Sequence, residues 1–264
     1  MKISSESKFY LVFLISASLV LFSALAASAQ TESDKKTIVT VNDIPVYEAQ
    51  LNNAMSMTFG YQAMMTLYKN QQTRLLGYLQ TNEAQAMLKL FLLNQILVEE
   101  LKNNKIDELN LTVSDEEVET ELDELIENND NIKDRENLTE MLKQQQVTME
   151  QLKNSLKNNL LQTKLRDEMV GEVEVSQEKI KSYYEENKQS FEKDEEGEVK
   201  PLEEVSDKIE NTLSNQKKNE EYDKWLKEFK GEAEVEFSED FTEKIEKDLP
   251  GLKIKEVSFL NWIA

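Results

Sequence analysis

Clustered carboxylates are the side chains of this sequence whose type and spacing could do chemistry. Glu185-Glu186, Asp194-Glu195-Glu196 and Glu203-Glu204 could bind calcium through their oxygens or act as acid–base pairs in hydrolysis. None has the spacing of a known calcium loop, so solvated helix faces are the favoured interpretation. The 264 residues hold no Cys and no His, which removes thiol nucleophiles, thiolate metal sites and the commonest general base. We therefore expect no catalytic residue, no metal site and no cofactor.

A cluster of methionine and aromatic side chains points to binding instead of catalysis. Unbranched, polarisable Met side chains adapt to varied apolar partners, so the cluster is a candidate surface for unfolded polypeptides. The competing interpretation, that it packs on the helix containing Phe91, is slightly favoured because apolar stripes on helices usually face the core. The members of the cluster are Met55, Met57, Phe59, Tyr61, Met64, Met65 and Tyr68.

The amino-terminal residues have the order of a secretory signal. Two lysines introduce an apolar run from Phe9 to Leu25, and Ala27-Ser28-Ala29 fits the small-x-small rule for signal peptidase. A signal peptide is therefore predicted over residues 1–29, with cleavage between Ala29 and Gln30. An uncleaved membrane anchor is the alternative, since the run approaches the length that spans a bilayer. With cleavage, we expect a soluble protein in the periplasm or extracytoplasmic space, with no stable membrane insertion.

The composition is strongly acidic and poor in turn-forming residues. Lys and Arg number 31 against 52 Asp and Glu, for a formal net charge of −21 at pH 7. Nucleic-acid binding needs a basic surface and anionic lipid attracts cations, so neither is an expected partner. Only six Gly and three Pro occur. A chain so poor in residues that interrupt helices is expected to be mainly α-helical.

Two short strand patterns flank a long series of helix patterns. Thr37–Val41 is β-branched throughout, Asn42-Asp43 predicts a turn, and Pro45 precedes a helix predicted to open near Val46. Residues 232–237 alternate acidic with small or apolar side chains, as strands do. These two strands, far apart in sequence, are expected to pair and to join the N- and C-terminal parts over a helical body.

Between the strands the helix patterns follow one another closely. The helix over about residues 82–104 is apolar almost all round its middle, so it must be covered on several sides and is the expected core helix. Ser114 with Glu117, and Thr148 with Gln151, have the spacing of capping boxes and predict two helix starts. Further helices are predicted over about residues 135–145, 149–169, 176–191, 201–230 and 240–248.

Five pieces of sequence occur in an order that is more specific than any one of them. They are Val39–Val46; Leu97–Lys102 with Leu111–Val118; Met149–Leu152 with Leu160–Leu165; Val175–Phe191; and Pro201–Val205 with Trp225-Leu226 and Ala233–Phe237. The series resembles the SurA N-terminal domain family of export chaperones, a family that includes the PrsA foldases. The resemblance covers about residues 37–237.

The resemblance implies a helical chaperone domain over residues 30–237, with 238–264 as a C-terminal extension. In family members that isomerise prolines, a parvulin domain that uses His is inserted before the closing helix. Here a connector of nine residues, Glu192–Lys200, stands at that place, and a domain needs about 50 or more. The implied function is a holding chaperone for unfolded or nascent exported polypeptides, without isomerase activity.

Other interpretations remain open at this stage. A foldase with residual isomerase activity and an extracytoplasmic helical scaffold with one dedicated partner are the alternative functions, and the sequence leaves a homodimer open. Phe259–Ile263 is apolar for a chain end. It could dock as an added strand, occupy a client cleft or pack in the core.

Overall fold

The structure, a computed structural model, describes residues 36–57, 81–145, 147–188, 191 and 199–262. Over these residues the chain is mostly helical with a small antiparallel sheet, which confirms the predicted fold class. The elements are β1 Thr37–Val41, β2 Ile44–Tyr47, α1 residues 48–57, α2 Asn82–Glu108, α3 Asp115–Glu127, α4 Arg135–Gln144, α5 Met149–Val170, α6 Gln177–Asn187, α7 Leu202–Glu232, β3 Val235–Phe237, α8 Glu239–Asp248, a 3₁₀ helix Ile254–Glu256 and α9 Phe259–Trp262.

The sheet has the order β2-β1-β3, so the strand from the C-terminal part pairs with the first strand. The predicted joining of the two chain parts is confirmed. The sheet also has a strand that the sequence prediction missed, because β2 occupies Ile44–Tyr47 where a helix was expected to open. Asn42 and Asp43 both have positive φ, 46° and 65°, as a two-residue hairpin turn requires. Pro45 is tolerated because β2 lies at the sheet edge.

Helix α2 is the core helix of the chain, as its all-round apolar sequence predicts. Leu90, Leu93, Leu97 and Leu101 are fully buried. The helix packs against β1, β2, α8 and α9. It ends where Asn110 takes a left-handed conformation, φ 55°, and Leu111 N–H donates to the Ile106 carbonyl at 3.0 Å. This is a Schellman-type end in which Asn replaces the usual Gly.

Both predicted capping boxes form. The Ser114 N–H donates to the Glu117 carboxylate at 2.8 Å, and the Glu117 N–H donates to Ser114 Oγ at 3.3 Å. Thr148 and Gln151 make the same reciprocal pair. These contacts begin α3 and α5. With α4, the two helices enclose a hydrophobic cluster of their own, formed by Val113, Val118, Leu122, Ile132, Leu138, Leu142, Leu152 and Leu156.

The chain divides into two compact units. The larger unit comprises the described parts of Met1–Gln162 together with Lys230–Ala264, and the smaller unit is Thr163–Phe229. The core of the smaller unit is built by α6 and α7, which bury Ile180 and Tyr184 against Val205 and Ile209.

Residues beyond 237, predicted as an extension, contribute to the core of the larger unit. Helices α8 and α9 both contact α2. The described part of the segment buries six apolar side chains: Phe241, Ile245, Leu249, Ile254, Phe259 and Leu260. Of the alternatives for the chain end, core packing describes Phe259 and Leu260, and the segment is helical, so an added strand is wrong.

Candidate functional site

Two large apolar side chains on α2 stay exposed. Met87 and Phe91 are each 44% exposed, and no other large apolar side chain in the described ranges is classed as exposed. Residues four apart on a helix lie one above the other, so the two side chains form one surface, the Met87–Phe91 patch. Gln95, one turn further on, is also exposed. The patch is a small apolar surface that is accessible to an apolar partner.

The position of the patch follows from how α2 is covered. The helix is apolar almost all round, but the sheet, α8 and α9 cover it on the side of Leu90, Leu93 and Leu97. The side chains of Met87 and Phe91 lie on a different face. The sequence predicted that this helix is covered on several sides and did not single out Met87 and Phe91. The excess of apolar residues over what one buried face needs is the pattern that could have indicated them.

The seven residues of the predicted Met-aromatic cluster are only partly described. Met55 lies in the core of the larger unit, 7% exposed, and Met57 is half-buried at the last described position of α1. Phe59, Tyr61, Met64, Met65 and Tyr68 lie outside the described residues. The cluster as a client-binding surface therefore stays a prediction. The signal-cleavage residues Ala29 and Gln30 also lie outside the described ranges.

Helix α1, which leads into this cluster, is held against α2 by a polar contact. The Gln50 side chain accepts a hydrogen bond from the Tyr47 N–H at 2.8 Å and donates one to the Glu100 carboxylate at 3.1 Å. Burial raises the pKa of Glu100 above its ordinary value, and the hydrogen bond from Gln50 only partly opposes this effect. The ionised carboxylate of Glu100 is thus a cost that the folded chain carries at neutral pH.

The substitution Glu100→Gln is expected to raise stability at pH 7. A carboxyl whose pKa is higher in the folded than in the unfolded chain loses stability as pH rises through its two pKa values, from 4.5 upwards. The amide keeps an oxygen that accepts from Gln50 and removes this cost. We therefore expect a higher midpoint of urea unfolding at pH 7 and a difference that disappears below about pH 4. Glu140→Gln, at an exposed glutamate of α4, is the matched control, and an equal gain in both variants would contradict the assignment.

An ion cluster holds the first strand, α1 and α8 together. Lys36 pairs with Asp240 and with Glu48, the latter at 3.3 Å, and Lys244 pairs with Asp240 at 3.1 Å. Hydrogen bonds to Asp240 and Glu48 raise the pKa of Lys36, and hydrogen bonds from Lys36 and Lys244 lower the pKa of Asp240. All four groups are exposed, so the cluster orients the segments but adds little stability.

Two of the three carboxylate clusters lie in the described residues, and both are on exposed helix surface. Glu185 and Glu186 are exposed on α6, and Glu203 and Glu204 are exposed in the first turn of α7, where negative charge suits the helix dipole. Asp194-Glu195-Glu196 lies outside the described residues. Within the part of the chain that the structure describes, no three acidic side chains are grouped to hold a metal ion.

The two ends of the connector lie side by side in the smaller unit. The Tyr184 hydroxyl donates to the Lys200 carbonyl at 2.9 Å, and the Tyr184 ring stacks on Phe191 with centroids 5.4 Å apart. Tyr184 therefore contacts the chain both after α6 ends, at Phe191, and before α7 begins, at Lys200. Such closely spaced ends are what a domain insertion needs, and here they are joined by a short segment.

Most of the larger unit matches a known protein family. The model of the SurA-like N-terminal domain family matches residues 1–166. The chain belongs to this family. The resemblance inferred from the order of the motifs is confirmed, and the Met87–Phe91 patch lies within the matched part of the SurA-like chain. None of the helices in the described ranges combines the length and the apolar character needed to cross a bilayer.

Two relatives are named as foldases. The foldase protein PrsA from each of two strains of Clostridium perfringens is 25% identical to the SurA-like chain over 183 residues, which cover 65% of the chain and 50% of the relative. The chain spans about half the length of the curated relatives it matches. Members of the SurA and PrsA family are chaperones and foldases that act outside the cytoplasm.

Proposed function

We propose that this protein is an extracytoplasmic holding chaperone that binds unfolded exported polypeptides and does not isomerise prolines. The observation that carries the proposal is the exposed Met87–Phe91 patch on the core helix of a SurA-like domain. The Met-aromatic cluster that follows α1 is proposed to extend this surface. An extended apolar client segment bound there would be shielded from aggregation by several weak contacts, without ATP or metal.

The acidic surface supports this role physically. A net charge of −21 keeps chaperone molecules apart even though each carries exposed apolar surface. The patch is small, so affinity for any one client is modest and release needs no energy source. A Met and an aromatic ring also suit varied partners, since neither imposes a directional contact.

The absence of isomerase activity is proposed from the interior of the chain. Helix α6 ends at Asn187 and α7 begins at Leu202. The residues between them are too few for a folded domain, which needs about 50. Tyr184 holds the connector ends together without one. The chain also has no His to supply a parvulin site.

Export is proposed from the leader pattern. Residues 1–29 are proposed to be removed as a signal peptide, which leaves a mature protein beginning at Gln30 in the extracytoplasmic space. Mass spectrometry of the protein recovered from the cell envelope tests this directly. A mature mass that begins at Gln30 supports cleavage, and retention of the apolar run supports the membrane-anchor alternative.

The double substitution Met87→Ser with Phe91→Ser is expected to weaken aggregation suppression. We expect the chaperone concentration that halves light scattering of an unfolded client to rise about five- to tenfold, because the client loses apolar contact area. Gln95→Ala, exposed on the same face, is the matched control and should leave suppression unchanged. If the double variant suppresses aggregation as well as the natural chain across several clients, the patch is not the binding surface.

Two further measurements separate the competing functions. In a proline-peptide isomerisation assay the protein is expected to leave the uncatalysed rate unchanged, and a clear acceleration would favour the foldase alternative. Pull-down from envelope extracts is expected to recover many polypeptides. Recovery of one stoichiometric partner would favour a scaffold.

The oligomeric state is a separate question. Light scattering of the purified protein reports whether it is a homodimer.

A further inference from the structure

The smaller unit contains a cavity between the end of α6 and the beginning of α7. Its volume is about 360 Å³, within the range of sites that hold a small ligand or one large side chain. The aromatic side chains of Tyr183 and Phe191 and the aliphatic side chains of Val205 and Ile209 line it. Nothing in the proposed function uses this cavity, and the family match ends before it, at residue 166.

The aromatic wall of the cavity is held in place before any ligand binds. Phe191 stacks on Tyr184, and Tyr184 is fixed in turn by its hydrogen bond to the Lys200 carbonyl and by burial against Val205 and Ile209. Tyr183 lies on α6 beside Tyr184 and is part-buried. A preformed wall avoids the entropic cost of ordering side chains on binding.

The described side chains that line the cavity carry more positive than negative charge. They include Lys200 and Lys208 with one carboxylate, Glu204, whereas the chain as a whole carries −21. The two ammonium groups attract negative charge on a ligand. The lining therefore selects a ligand that is aromatic and carries negative charge beside the ring.

We propose that this cavity binds an aromatic side chain of an extended polypeptide where acidic residues flank that side chain. The inference rests on the proposed function, because it names a class of client segment for the chaperone. The ring enters between Tyr183 and Phe191, and the flanking carboxylates face Lys200 and Lys208. Such a site adds a second, chemically distinct contact for a client, in a unit other than the one that carries the Met87–Phe91 patch.

The test is a titration of the full mature chain with three capped pentapeptides, followed by calorimetry or by NMR. Gly-Glu-Trp-Glu-Gly is expected to bind with a dissociation constant on the order of 0.1–1 mM. Gly-Glu-Ala-Glu-Gly, which lacks the ring, and Gly-Lys-Trp-Lys-Gly, which reverses the charge, are each expected to bind at least about tenfold more weakly.

Variants of the chain locate the binding. Lys208→Glu is expected to weaken Gly-Glu-Trp-Glu-Gly about tenfold, whereas Lys227→Glu, an exposed lysine on the same helix away from the cavity, should change it less than about twofold. Phe191→Leu should weaken the Trp peptide about fivefold and leave the Ala peptide unchanged. Equal effects of the two lysine variants, or no saturation of Gly-Glu-Trp-Glu-Gly up to about 10 mM, would overturn the proposal.

The aggregation assay and the peptide titration test the holding function and the cavity site separately. A chain that suppresses aggregation but binds no pentapeptide retains the chaperone role and loses the cavity site. A chain that binds the acidic Trp peptide at Lys208 but suppresses no aggregation retains the cavity as a peptide site and loses the holding function.

Discussion

A chain shortened to end at Ser238 is expected to leave the larger unit unfolded. The removed residues supply six buried apolar side chains, which include Ile245, Ile254 and Leu260. Burial of a large aliphatic or aromatic side chain contributes roughly 1.5–3 kcal/mol. The lost contribution is therefore on the order of 10 kcal/mol, comparable with the whole stability of a domain. Removal also uncovers the side of α2 that carries the fully buried leucines.

Circular dichroism and urea unfolding measure this outcome. We expect the shortened chain to lose its cooperative transition and much of its helical signal. A single-residue version uses Ile245→Ala, which should lower the free energy of unfolding by about 2–4 kcal/mol. Lys247→Ala, exposed on the same helix, should change it by less than about 0.5 kcal/mol. A shortened chain that unfolds at the natural urea midpoint would show that residues 239–264 are a dispensable extension.

Asn94→Ala is expected to lower the free energy of unfolding by about 2–3 kcal/mol. The side chain of Asn94 is 2% exposed at the centre of α2, and its Nδ2 donates to the Phe259 carbonyl at 2.9 Å. The substitution leaves that carbonyl buried without this donor and opens a small cavity beside it. The bond joins residues 165 positions apart in the sequence. Its loss therefore weakens the packing of α9 against α2.

Urea unfolding with hydrogen exchange distinguishes this tether from a general loss of packing. Exchange should accelerate most at the amides of α9, which Asn94 holds, and least in the cluster of α3, α4 and α5. Gln95→Ala is the matched control because the neighbouring side chain is exposed. A change of less than about 0.5 kcal/mol for Asn94→Ala would mean that water or a shifted side chain satisfies the Phe259 carbonyl.

Features that depend on local contacts could be predicted from the sequence, and features that depend on long-range contacts could not. The starts of α3 and α5 were predicted correctly because each depends on a reciprocal hydrogen bond between residues three apart, such as Ser114 and Glu117. Strand β2 was missed although the turn at Asn42 was identified. The turn residues indicate where the chain reverses. Only the pairing of Thr40 with Pro45 shows that the segment after the turn is a strand.

The Met87–Phe91 patch also depends on long-range contacts. The apolar surplus of α2 is visible in the sequence, yet which side of the helix is covered depends on β1, α8 and α9, elements far away along the chain. Exposure of Met87 and Phe91 is a property of that arrangement. The cavity beside Tyr183 likewise exists only because α6 and α7 pack together, and no local pattern in the sequence indicates it.

The sequence by itself determined the fold class, the family and the shortness of the connector Glu192–Lys200, since composition, motif order and residue count need no partner. The tertiary structure alone decided that residues beyond 237 contribute to the core, that Asn94 is bonded to Phe259, and that Met87 and Phe91 on α2 stay partly exposed. The physical reason is that burial is a property of pairs of surfaces. A sequence shows which residues are apolar, and only the packing of distant segments decides which of them lose contact with water.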